Sequence, residues 1–140
     1  MVERALQKMH GTTRGKFFYA QNRTVAIRPT DARTPKMGYY RGAKAGNDYI
    51  YLNPNDERFY DESTFRDLSK HAGEIPPATD EGRAAILGHE FGHVFGGIDE
   101  NLGGRNVRDN ENSIRSELSR PDAVIPLRRS VGGHQFRVDE

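Results

Sequence analysis

The chain has 140 residues, and although 29% of them are charged, 21 Lys and Arg against 20 Asp and Glu leave a formal net charge of only +1. That length suits one domain, residues 1 to 140, with a single core, and so balanced a charge implies no polyanion as obligatory partner, so no nucleic acid is expected. The lack of cysteine excludes disulfides, thiolate metal sites and cysteine nucleophiles together.

Met1-Val2-Glu3-Arg4 carries no signal-peptide core and no apolar run approaches a membrane span, so an exported protein would travel without a classical leader. Residues 3 to 10 are predicted as a short helix with Ala5, Leu6 and Met9 inward, closed by Gly11. His10 falls at its C-terminal end, where the helix dipole welcomes a cation. Lys16-Phe17-Phe18-Tyr19-Ala20 and Thr24-Val25-Ala26-Ile27-Arg28 are predicted as two strands of a hairpin around Gln21-Asn22-Arg23. Pro29, Pro35, Gly38, Gly42 and Gly46 make 29 to 47 a loop region, with room for a short strand at Gly38-Tyr39-Tyr40-Arg41. Asp48-Tyr49-Ile50-Tyr51-Leu52 has the aromatic and branched composition of a strand. Its ordinary role is core; at a sheet edge it could instead pair with an extended peptide. A short helix presenting Phe65 and Leu68 is expected between Phe59 and Lys70, and His71 to Pro77 forms a linker.

The stretch Ile86-Leu87-Gly88-His89-Glu90-Phe91-Gly92-His93-Val94-Phe95 contains His-Glu-x-x-His. On a helix, residues four apart lie one above the other, so His89 and His93 project from one face with Glu90 beside them and can share a metal ion. Leu87, Phe91, Val94 and Phe95 cover the opposite face, so the helix is apolar or small over most of its circumference, the pattern of a buried helix. Thr79 or Asp80 can cap it, Asp80 and Glu81 suit its first turn, and Gly96-Gly97 ends it. Two imidazoles and a carboxylate on a buried face would cost several kcal/mol to desolvate unpaired, and a coordinated cation removes that penalty. The alternative is a pair of structural histidines on a core helix.

A catalytic zinc needs a third protein ligand and an open position. Asp99 completes His-Glu-x-x-His-x-x-Gly-x-x-Asp, which resembles the metzincin signature with Asp for the last His, Gly96 allowing the chain to reverse. Glu111 lies in a second predicted helix, residues 109 to 118, stopped by Pro121, with Arg115 one turn on to pair with it and orient it; Glu117 is a weaker rival. Ala123 to Leu127 reads as extended, Arg128-Arg129 as solvated charge, and His134 as a mobile tail residue.

The run His89-Glu90-Phe91-Gly92-His93, Gly97-Ile98-Asp99, Asn106-Val107 and Glu111-Asn112-Ser113-Ile114-Arg115-Ser116-Glu117-Leu118 resembles the zinc metallopeptidase domains of bacterial effectors and polymorphic toxins. Those include type III effector proteases and domains linked to type VI spike and Rhs-like proteins. The family pattern follows the His-Glu-x-x-His helix with Glu-Asn-x-x-Arg-x-x-Leu-Gly-x-Pro, and this chain departs from it at Ser119-Arg120-Pro121. The similarity covers roughly residues 79 to 122, with a fainter echo in Tyr49-Ile50-Tyr51-Leu52-Asn53-Pro54.

The resemblance implies an α+β, compact zincin-like domain with a small mixed or antiparallel sheet around a buried His-Glu-x-x-His helix. It implies one zinc per chain on His89, His93 and Glu111, favouring Glu111 over Asp99 as third ligand. Zinc-activated water would hydrolyse a peptide bond with Glu90 as general base. Arg115, His134 and Tyr51 are candidates to stabilise the oxyanion. The implied partners are a protein or peptide substrate and an immunity protein, and the implied setting is secretion or translocation into a target cell. A peptidoglycan-directed amidase or endopeptidase would use the same chemistry, and a non-catalytic metal-stabilised binding module is the reading from another class.

Overall fold

The computed structural model describes residues 2–21, 23–29, 43–45, 49–52, 77–95, 106–128, 130–131 and 134–135. The element order is helix α1 (Val2–His10), helix α2 (Thr13–Tyr19), strands β1 (Ala26–Pro29), β2 (Ala43–Ala45) and β3 (Tyr49–Leu52), and helix α3 (Asp80–Val94). A π-helical turn (Val107–Glu111) then runs into helix α4 (Asn112–Leu118), and β4 (Ser130–Val131) pairs with β5 (His134–Gln135). The class is α+β.

The three-stranded sheet has the order β1-β3-β2 and is mixed: β1 runs parallel to β3 with Ile27 opposite Ile50, and β2 antiparallel with Lys44 opposite Tyr51. β3 is therefore the central strand, with ladder partners on both sides, and cannot accept a peptide at its edge. Its alternation puts Ile50 and Leu52 into the core. β2 lies within the stretch expected to be loop; Ala43-Lys44-Ala45 has none of the branched or aromatic residues that mark a strand. The possible strand at 38–41, the helix expected between 59 and 70 and most of the linker after it lie outside the described residues.

The predicted hairpin does not form. Its first half is α2, because the buried Thr12 side chain caps it, accepting from the Gly15 amide at 3.0 Å while its hydroxyl donates to the Met9 carbonyl at 2.6 Å. Helical phase then turns Phe18 inward, stacked on Phe91 at 6.0 Å and Phe95 at 5.5 Å, and leaves Tyr19 exposed. Strand-like composition loses here to a cap and a tertiary aromatic cluster.

α3 runs through the middle of the core. From Gly82 to Gly92 every residue is buried, and Ala84, Ala85, Leu87, Phe91 and Val94 pack with Ala5 and Met9 of α1, Phe18, Ile50, Leu52 and Ile114. Its solvent end carries the charges: Asp80 pairs with Arg83 at 2.9 Å and Arg4 at 3.3 Å, and Glu81 with Lys8 at 3.5 Å. The Arg83 hydrogen bond in particular holds the Asp80 carboxyl below its ordinary range. His10 ends α1 as expected, and partial burial, with the Tyr19 and Phe91 rings nearby, lowers its pKa. Among the described residues, no helix is long and apolar enough to cross a membrane.

Candidate metal centre

Thr79 is the cap of α3, its side chain accepting from the Gly82 amide at 3.1 Å. Ten residues on, within the buried part of that helix, come His89 at 8% exposure and Glu90 at 4%. The two imidazoles of His89 and His93 meet as helical spacing requires: their rings stand at 82° with centroids 4.7 Å apart, and the two Nε2 atoms are 3.1 Å apart. Glu90 lies between them in sequence.

That separation fits a shared cation. Two nitrogens on a tetrahedral zinc with bonds of ~2.0–2.1 Å lie about 3.3 Å from each other. On the other side of the His89 ring, Nδ1 is 2.8 Å from Glu111 Oε1, a carboxylate neighbour that favours the proton on Nδ1 and the lone pair on Nε2. Two converging nitrogen donors on a buried helix are a donor set suited to zinc.

Glu111 comes from the end of the π-helical turn. It has no exposed surface, and both of its oxygens face side-chain nitrogens. Oε1 meets His89 Nδ1 and, at 2.9 Å, Arg128 Nη1, while Oε2 lies 2.7 Å from Arg115 Nη2. Burial alone would raise this carboxyl's pKa, but Arg115 and Arg128, with His89, outweigh it and hold the group well below the carboxylate range. Glu111, expected to bind metal directly, here meets His89 at Nδ1, a contact through which a carboxylate can orient the ring. Among the described residues, no three His, Asp or Glu side chains form a ligand group. Asp99 lies outside the described residues, as do the side chains of Tyr51 and His134.

Arg115 does pair with Glu111, one helical turn away as the spacing predicted. It is fully buried, and its Nη1 donates to the Pro126 carbonyl at 2.6 Å. Glu117 is occupied elsewhere: its carboxylate accepts from the Thr13 amide at 2.9 Å, at the start of α2.

Arg128 corrects the sequence reading most. It was expected in solvent, yet it is 2% exposed and sits on Glu111. Asn112 holds its backbone from both sides, Nδ2 donating to the Arg128 carbonyl at 2.8 Å and Oδ1 accepting from the Arg128 amide at 2.8 Å. Asn106 donates to the His89 carbonyl at 3.0 Å and accepts from Asn110 at 2.6 Å, and Arg14 of α2 donates to Asn110. A run of side-chain amides thus ties the second helical segment to the backbone of α3. The signal for them was the Asn content of 106–112, which is unusual in a helix unless the amides are used. No family model, curated protein or solved structure matches this chain.

Proposed function

We propose that the chain is a zinc-dependent peptidase of the zincin type, acting as an effector or toxin domain delivered into another cell. The observation that carries the chemistry is the pair of Nε2 atoms 3.1 Å apart on a buried helix that also carries Glu90. His89 and His93 would hold the metal, and Glu111, already committed to Nδ1, would fix the first of them. Asp99, six residues beyond His93, is then our choice for the third ligand over Glu111, since Gly96 and Gly97 in between allow the chain to reverse.

Bound there, zinc supplies Lewis acidity, lowering the pKa of water and polarising the scissile carbonyl. Glu90 accepts the proton from the attacking water and passes it to the leaving nitrogen, a role that requires its carboxylate next to the ligands but not on the metal. The low-dielectric surroundings of α3 strengthen these charges relative to solvent. Delivery, a protein or peptide substrate and an immunity partner are supported by the likeness of His89–His93 and Glu111–Leu118 to effector metallopeptidases.

Glu90→Gln removes the base and keeps the shape. It should bind zinc like the unaltered protein and lose proteolysis, and toxicity on expression, by a factor of about 10² or more. Asp99→Ala, assayed alongside, should lose zinc. Full toxicity in Glu90→Gln, or full zinc content in Asp99→Ala, would contradict the respective assignment.

A further inference from the structure

We propose that Arg128 is a positioning residue of the metal site: acting through Glu111 it fixes the His89 imidazole, so that zinc affinity depends on the seating of the chain's C-terminal stretch, residues 119–128. The inference rests on the reading of His89 and His93 as metal ligands.

Arg115 and Glu111 lie on one helical face, one turn apart, and their contact through Oε2 leaves the carboxylate able to swing about that single anchor. Arg128 removes that freedom. Its Nη1 is 2.9 Å from Oε1, and the same oxygen is 2.8 Å from His89 Nδ1, so the guanidinium and the imidazole share one acceptor. With a cation on each oxygen, no rotation of the carboxylate preserves both contacts, and Oε1 stays aimed at Nδ1. The ring of His89 is then held with Nε2 toward His93. An arginine serving only as charge partner had no need to take the oxygen that the ligand uses.

Unlike Arg115, Arg128 comes from outside the helix, and its place is set by tertiary contacts. Asn112 pairs with its backbone amide and carbonyl, Arg115 donates to the Pro126 carbonyl, the Ile125 amide donates to Ser119 Oγ at 2.9 Å, and the Ile125 side chain is buried. These contacts latch 119–128 across the end of α4. Outer partners of this kind typically change metal affinity by about 10- to 100-fold when removed.

The test measures zinc affinity of the full chain by competition with a chromogenic chelator, with thermal melting as the control for folding. Arg128→Gln should bind zinc about 10- to 100-fold more weakly. Arg128→Lys, which returns a cation to Oε1, should recover part of the loss. Imidazole nitrogen NMR of the zinc-loaded protein supplies a readout that a merely structural arginine leaves unmoved. In the unaltered chain the His89 Nδ1 proton should be present and slow to exchange, and in Arg128→Gln it should exchange faster. Zinc affinity and an Nδ1 signal unchanged in a folded Arg128→Gln overturn the proposal. If that variant does not fold, the unaltered protein decides: a protected Nδ1 proton supports it, and an Nδ1 that is metal-bound or freely exchanging overturns it. Absence of any zinc binding by the unaltered chain is a different failure, that of the metal reading beneath.

Discussion

A carboxylate with no exposed surface, facing two guanidiniums and an imidazole, is held by its partners alone, and Glu111 is such a group. The two arginines need it in turn, since each is at most 2% exposed and finds its counter-charge there. Breaking a buried ion pair from one side leaves the remaining charge without compensation, at about 3–5 kcal/mol. Glu111→Gln in the metal-free protein should therefore lose stability of that order in urea unfolding. A loss under about 1 kcal/mol, the range of exposed pairs, would show that the cluster is open to water. Arg128 was illegible in the sequence for a related reason. Adjacent Arg128-Arg129 looks like any solvated basic pair, and what decides its burial is a carboxylate seventeen residues away. His89, Glu90 and His93 were legible because their spacing matches the helical repeat, a purely local relation.

At the scale of elements, α3 depends on three glycines: Gly82, packed on the Pro77 backbone, and the two next to the histidines, Gly88 and Gly92. A Cβ at Gly92 would overlap the side-chain amides of Asn106 and Asn110, and one at Gly88 would overlap the end of the Ile114 side chain. The helix and the π-helical turn thus pack backbone to side chain, close enough for Asn106 to reach the His89 carbonyl. The two positions differ in what must yield. Ile114 can rotate away, whereas Asn106 and Asn110 are hydrogen-bonded to each other and to their neighbours. Gly92→Ala should therefore cost about 1–3 kcal/mol and weaken zinc binding, with Gly88→Ala the milder of the two in the same unfolding assay. Equal effects would argue against the amide network as a rigid support. The span of α3 through the histidines was readable, its Thr79 cap included, while its expected stop at Gly96-Gly97 lies outside the described residues and α2 was mistaken for a strand. Phe17-Phe18-Tyr19 has strand composition, and only the stacking of Phe18 on Phe91 and Phe95, far along the chain, shows why helix wins.

Taken whole, the site is assembled from stretches remote in sequence: α3 supplies the imidazoles and Glu90, the segment 106–118 supplies Glu111, Arg115 and the amides, and 119–128 supplies Arg128. The sheet packs against α3 through β2 and β3, with β3 in its centre. Class and central helix follow from patterns within a dozen residues. The parallel pairing of β1 with β3, and the contact of Glu111 with His89 Nδ1, follow from packing between segments, which no local pattern encodes. In the proposed function, the three stretches serve a single divalent ion between His89 and His93. X-ray absorption at the zinc edge, on protein loaded with one equivalent and freed of excess, measures that directly. The account predicts one zinc per chain with two imidazole nitrogens at ~2.0–2.1 Å and the remaining near neighbours oxygen. Zinc that washes out completely, or a shell without paired imidazoles, would contradict it.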